Sequence, residues 1–153
     1  MISNLALILR HLGPLGLLKA IYFVVLTGIA RTIGVKTMKK RVFDYSLYLD
    51  TSDKGLSRTL FLFGRREIDH YKMLQEILKP GMQILDIGAN IGYYAVMESL
   101  VVGSEGKITA IEPMLPNIKM LRRNVALNNA TNINVIHGAV SESTGTGKMF
   151  IYL

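Results

Sequence analysis

Cysteine is absent from the 153 residues, so no disulfide framework or thiolate metal site can form, and nothing in the chain reports on the redox state of its compartment. Histidine is sparse: His11, His70 and His137 are scattered, without the spacing of a metal site. Acid is absent from residues 1–41, which hold seven basic groups, Arg10, Lys19, Arg31, Lys36, Lys39, Lys40 and Arg41. The rest of the chain balances eleven basic against eleven acidic residues, so the net charge of +7 belongs to the N-terminal arm. Such an arm attracts anionic lipid or nucleic acid. Internal repeats and low-complexity tracts are missing too. Half of the residues are hydrophobic, which excludes a disordered chain, and the length suits one domain with a real core.

No uncharged apolar run reaches the length of a membrane span. Leu15 to Ala30 carries Lys19, and the uncharged stretch from Ala20 to Ala30 has eleven residues, where a spanning helix needs about twenty. A convincing small-x-small cleavage site is lacking, which argues against a secretory signal. Residues 1–12 are apolar up to Arg10-His11. Gly13-Pro14 interrupts them, and Pro14 suits the first turn of a new helix that Gly34 would stop. Three readings of this arm stay open. It could lie on a membrane surface as a helix pair, held by apolar area and the cations Lys36 to Arg41; it could pack on this protein or on a partner subunit; or it could span, leaving the body in the cytoplasm.

Beyond the arm the pattern changes period. Arg41 to Asp50 alternates, with Phe43, Tyr45, Leu47 and Leu49 on one side, and predicts one half-buried antiparallel strand. Ser52 to Gly55 is a turn, and Leu56 to Phe63 is apolar and ambiguous. Ile68, Tyr71, Leu74, Ile77 and Leu78 form a helical stripe between Arg65 and Leu78. Strands are predicted at Met82–Ile87, Lys107–Glu112, Ile133–His137 and Lys148–Leu153, and helices at Gly92–Val102 and Pro116–Asn129.

The most informative stretch is Gln83-Ile84-Leu85-Asp86-Ile87-Gly88-Ala89-Asn90-Ile91-Gly92-Tyr93-Tyr94. It reads as a strand buried on both faces, a glycine-bearing turn and the start of a helix, whose free N–H groups suit negative or electron-rich groups. Glu112 ends the next strand, twenty residues past Gly92. That is the spacing at which an acid meets ribose hydroxyls in nucleotide-binding βαβ units. The turn has the form Asp-x-Gly-x-Asn-x-Gly rather than Gly-x-Gly-x-x-Gly. Asp86, two residues before the first glycine, would repel a pyrophosphate but could accept from an ammonium group. S-adenosylmethionine has an ammonium, a sulfonium and a ribose and no phosphate, so the local chemistry favours it over NAD.

With Lys79-Pro80-Gly81 before the strand, Leu85 to Tyr94 through the turn, and Ile111-Glu112-Pro113 after it, the sequence resembles the FkbM-type S-adenosylmethionine-dependent methyltransferases. Asn117, Leu121, Asn124, Leu127, Asn128, Val135 and Ala139-Val140-Ser141 extend the resemblance over roughly Ser52 to Leu153. It implies an α/β fold: a Rossmann-like doubly wound methyltransferase sheet, incomplete here, preceded by the hydrophobic basic arm. The implied division is arm 1–41, lead-in strand and helix 42–80, and the cofactor-binding half 81–153. The implied reaction is methyl transfer to a hydroxyl on a sugar, glycolipid or natural product. The cofactor would rest on Asp86, Gly88, Ala89, Asn90, Gly92, Glu112, Pro113 and Ala139, with Gly88 toward its methionine, Glu112 on its ribose and the Ala139 backbone near its adenine.

Plainer roles stand beside these. Gly88 is otherwise a turn glycine; Asp86, if it holds neither the loop nor the ammonium, is a helix-capping group; and Glu112 is otherwise a solvated strand-end acid. Met114 could cover the adenine or fill the core. Glu67 is either near the ligand or an exposed first-turn acid. His137, on an apolar strand, reads as a satisfied core histidine rather than a base. The asparagines Asn117, Asn124 and Asn128 read as capping and loop bonds. No general base is identifiable. The chain stops near the start of the fourth core element, so it is expected to present an open sheet edge and could be a cofactor-binding fragment that needs a second half. A nucleic-acid methyltransferase is the weaker alternative, because the cations lie in the arm and not around the turn.

Overall fold

The computed structural model describes the backbone of residues 2–148 and the side chains of residues 13–148. The predicted final strand, Lys148–Leu153, lies almost entirely outside them. Helix α1 (Ile2–Thr32) bends sharply at Gly13, whose φ of 67° breaks the helical backbone just before Pro14. The arm is therefore two helical pieces joined at a kink, in the place where the glycine and proline predict one. Gly34 follows its end with a φ of 80°.

Strands β1 (Thr37–Val42) and β2 (Tyr45–Asp50) form an antiparallel hairpin. The single strand expected over Arg41–Asp50 is thus corrected. The chain reverses through Phe43 and Asp44, with Phe43 at a φ of 50°. A phenylalanine is a poor residue for that backbone. Its ring stacks on Tyr71 at 3.8 Å between centroids, which offsets the cost. Helix α2 (Leu56–Phe63) resolves the ambiguous stretch, and α3 (Ile68–Ile77) follows.

The remaining elements alternate: β3 (Gln83–Ile87), α4 (Tyr93–Val102), β4 (Lys107–Glu112), α5 (Leu115–Leu127) and β5 (Ile133–His137). The three strands are parallel in the order β3-β4-β5. One face of the sheet carries Ile84, Asp86, Ile108, Ala110, Glu112, Ile133 and Val135, and α4 and α5 cover it. The other face carries Leu85, Ile87, Ile111 and Ile136. Leu85 and Ile87 are each 57% exposed. The expectation that this strand is buried on both faces is therefore corrected: among the described residues nothing lies over the second face, and β3, like β5, is an end strand with an open edge.

Helix α4 is apolar nearly all round because it is a shared wall. Its Tyr93, Val96 and Met97 join the hairpin, α2 and Tyr71 in one core cluster, while Ala95 and Val102 join Ile108, Ala110 and Leu121 in a second. Two asparagines on α5 fasten the hairpin to this wall. The Asn124 Oδ1 accepts the Tyr48 N–H at 2.7 Å, and the Asn128 Oδ1 accepts the Ser46 N–H at 3.0 Å. Their amide groups donate back to the Tyr48 and Ser46 carbonyls. Four residues apart on one helix face, they copy the hydrogen-bond pattern of a neighbouring strand along the edge of β2. Asn128 also caps α5 as expected, its amide donating to the Asn124 carbonyl at 2.7 Å; the tertiary bonding to the hairpin, across more than seventy residues of sequence, is the part that was not expected.

Candidate cofactor site

The site forms where β3 and β4 end. Gly88 leaves β3 at a φ of 81°, and a Cβ built there would meet nothing within 4 Å, so the turn faces open space. The Gly88 and Ala89 N–H groups both donate to the Ile111 carbonyl, at 2.8 and 3.0 Å, which pins the turn to β4. Asn90 takes a left-handed φ of 51°, a conformation asparagine tolerates better than most residues. Gly92, at a φ of 90°, is the N-cap of α4 and no side chain caps it. The helix-capping alternative for Asp86 is therefore corrected.

Glu112 is 4% exposed and both of its carboxylate oxygens are hydrogen-bonded. Oε2 accepts the Asn90 N–H at 2.9 Å. Oε1 accepts the Met114 N–H at 2.9 Å and the Asn117 amide at 3.1 Å. It is not a solvated strand-end acid: it ties β4, the β3–α4 turn and the start of α5 together. Asp86 lies on the same sheet face one strand away. Its Oδ2 is buried without a hydrogen-bond partner. Burial, reinforced by the nearby Glu112 charge, pushes the Asp86 carboxyl up to about 6.

A cavity of about 140 Å³ opens over this turn, lined by Leu56, Arg66, Glu67, Asp86, Gly88, Ala89, Asn90, Tyr93 and Tyr94. Four of the predicted residues thus meet in one cavity, with Gly92 and Glu112 directly behind it. Pro113 stands just past Glu112, and its carbonyl lies 2.9 Å from the His137 Nε2. Ala139 is exposed in the coil after β5, outside the cavity lining. His137 is also exposed, which corrects its reading as a core histidine.

Composition and spacing did not single out the other wall. The Tyr93 hydroxyl donates to the Arg66 carbonyl at 2.6 Å and accepts the Arg66 N–H at 3.0 Å. The Tyr94 hydroxyl donates to Glu67 Oε2 at 2.7 Å, while Arg66 Nε reaches Glu67 Oε1 at 3.1 Å. Glu67 precedes α3 in a left-handed conformation, φ 49°. The Tyr94 hydroxyl bond, aided by Arg66, holds its carboxyl below the usual carboxylate range. Glu67 is exposed and also borders the cavity, but it is the residue before α3, whose first-turn acid is Asp69. A further acid, Glu98 on α4, is 6% exposed with Oε2 unpartnered. Burial, then the Asp86 charge, pushes it up to about 7. Its only sequence signal is being the one charge in an apolar helix.

Residues 68–143 match the family described as protein-L-isoaspartate(D-aspartate) O-methyltransferase, PCMT. The chain is 35% identical over 72 residues to the protein-L-isoaspartate O-methyltransferase of Methanothermobacter thermautotrophicus, covering 46% of this chain and 33% of that protein. It is 32% identical over 62 residues to a probable cobalt-precorrin-6B C(15)-methyltransferase (decarboxylating) of Sulfolobus acidocaldarius, covering 40% and 32% respectively. The chain spans about a third of the length of the curated relatives it matches. Among solved structures, Trm5b from Pyrococcus abyssi superposes with a TM-score of 0.54 at 19% identity, over 69% of this chain and 29% of that one. M. jannaschii TYW2 in complex with AdoMet gives 0.54 at 20% identity, over 67% and 43%. The resemblance to the FkbM type is overturned by these matches, which place the similarity of the turn and second strand with PCMT. The strand order, the turn and the superpositions together make this chain part of an α/β methyltransferase-type fold, with a partial parallel sheet and an added N-terminal helix.

Proposed function

We propose that the chain is the cofactor-binding part of an S-adenosylmethionine-dependent methyltransferase. The carrying observation is the convergence of Asp86, Gly88, Ala89 and Asn90 on one cavity, with Glu112 holding the turn from behind. The residues fit the cofactor. Asp86 keeps a buried oxygen free for an ammonium group. Arg66, on the opposite wall, can meet the carboxylate of the same amino acid moiety. By its place at the end of β4 we assign Glu112 to the ribose hydroxyls, and the Pro113 and Ala139 backbones to the adenine. The bound group would supply an electrophilic methyl on a sulfonium. The chain's part is to orient it and to exclude water, so that an acceptor oxygen or nitrogen can be aligned behind the methyl.

The acceptor to test first is an isoaspartyl carboxylate, because that is the substrate named in the matching family. A carboxylate acceptor is already ionised near neutral pH and needs no general base. The sugar or lipid hydroxyl implied by the FkbM resemblance has no support from the relatives.

Calorimetric titration with S-adenosylhomocysteine, beside NAD, tests the cofactor reading. Selective binding that Asp86→Asn weakens supports it. A folded chain that prefers NAD, or binds neither, overturns it. Methyl incorporation into an isoaspartyl peptide, compared with its aspartyl isomer, tests the acceptor separately.

A further inference from the structure

Helix α1 is long and apolar enough by length and composition to cross a membrane over Gly13–Thr32, with a mean hydropathy of 1.7. Its seating on the body is narrow. Ala20, Thr27 and Ala30 are buried, and Phe23 packs toward Phe61 of α2 at 6.1 Å between ring centroids. Lys40 of β1 places its ammonium 3.5 Å from the Phe23 ring and bonds the Phe61 carbonyl. The opposite side of the helix carries Leu15, Leu18, Tyr22, Val25 and Ile29, all 54% or more exposed. At about 1.5 Å per residue this uncharged stripe runs about 21 Å.

Charge says what covers it. No acid occurs before Asp44. Lys19 lies beside the stripe, Arg31 stands on the groove side of the helix, and Lys36, Lys39 and Arg41 follow in the chain, all exposed. Along the seam between α1 and the body a groove of about 250 Å³ adds Lys54 and Arg58. Asp53, also at this groove, is occupied by the Gly55 and Ser57 N–H groups at 2.7 Å each. Among the described residues the single ion pair is Arg66–Glu67, so none of these cations is neutralised there. A second copy laid on the stripe would bring like charges together. An anionic bilayer surface would meet apolar area and cations at once.

We propose that α1 lies in the plane of an anionic lipid surface, with the Leu15-to-Ile29 stripe immersed and the basic groups among the headgroups. Lying is favoured over spanning because the Ala20–Ala30 side is bound to α2. A spanning helix would have to give up that contact or take Arg58 and Lys54 into hydrocarbon. Tyr22 has the amphipathic ring that suits the boundary. The inference is independent of the methyl-transfer reading.

The test is co-sedimentation of the full chain with phosphatidylcholine vesicles, with and without phosphatidylglycerol. The expected result is binding to the anionic vesicles, reversed by high salt and by alkaline carbonate. Val25→Asp, at an exposed position, should abolish it without changing the circular dichroism of the free chain. Lys36→Glu with Lys39→Glu should weaken it at least fivefold for each cation lost. A folded chain that ignores anionic vesicles overturns the proposal. So does binding that is indifferent to salt and resists alkaline carbonate, which would mean a span. So does self-association in sedimentation equilibrium that Val25→Asp abolishes in the absence of vesicle binding, which would mean a second copy.

Discussion

The carboxylate of Glu112 accepts the backbone N–H of Asn90 at 2.9 Å, so the acid that ends β4 holds the turn that leaves β3. Removing the acceptor frees a left-handed Asn90 and strands the Met114 N–H as well. Glu112→Ala is therefore expected to weaken S-adenosylhomocysteine at least tenfold. It should also cost about 1–3 kcal/mol of stability, the range for buried polar groups left unpaired. Calorimetry and urea denaturation check the two effects separately.

Gly92 is the second fixed point of the turn. A Cβ added there would lie 2.6 Å from the buried Leu121 Cδ1, on a backbone at φ 90°. Gly92→Ala combines left-handed strain with overpacking, and about 2–4 kcal/mol of destabilisation is expected. A melting temperature equal to that of the parent chain would show that Leu121 can move aside.

The buried acid on α4 gives a pH-dependent prediction. Glu98 titrates at about 7, so in the folded chain its neutral form is preferred. The penalty for ionising it is absent at low pH, grows as pH rises through the ordinary carboxylate range, and is complete above about 7. Glu98→Gln should thus match the parent at pH 4 and exceed it at pH 8, by on the order of 3 kcal/mol. Equal stability at pH 8 would mean that Glu98 is solvated.

Asp86, at about 6, reverses the sense for ligand. Below that value it is neutral and cannot balance an ammonium; above it the charge is available. Affinity for S-adenosylhomocysteine should rise from pH 5 to pH 7 and then level. In Asp86→Asn it should be lower and nearly flat over the same range. Titrations at each pH decide it.

Asn124 is wholly buried and bonds Tyr48 twice and the Ile91 carbonyl once, at 2.8 Å. Asn124→Leu leaves three backbone groups without partners. We expect a loss of about 3 kcal/mol or more, against less than 1 kcal/mol at the exposed neighbour Arg122. Denaturant midpoints of the two variants give the comparison.

The sequence carried the α/β core closely. β4 and β5 fall on their expected residues, and β3, α4 and α5 within one or two, because glycine and proline punctuate β-branched runs. The hairpin was not legible, since Phe43-Asp44 lacks the glycine or asparagine that announces a tight turn; only its stacking on Tyr71 explains it. Leu85 and Ile87 look like strand residues with two covered faces, and their sequence cannot say what lies over them. Asp86, Gly88 and Asn90 were readable as a site because they are contiguous. Arg66, Tyr93 and Tyr94 close the same cavity through hydrogen bonds across 27 residues, which no local pattern encodes.

Asn124 has one further consequence. Its amide bonds the Tyr48 strand edge and the Ile91 carbonyl, inside the cofactor turn, through a single fully buried group. That group cannot rotate away from one partner without abandoning the other. Order in the hairpin and order in the turn therefore rise and fall together. By thermodynamic reciprocity, anything that steadies the turn also steadies the hairpin, whose Lys40 touches α1 at Phe23, and by the same free energy in either direction.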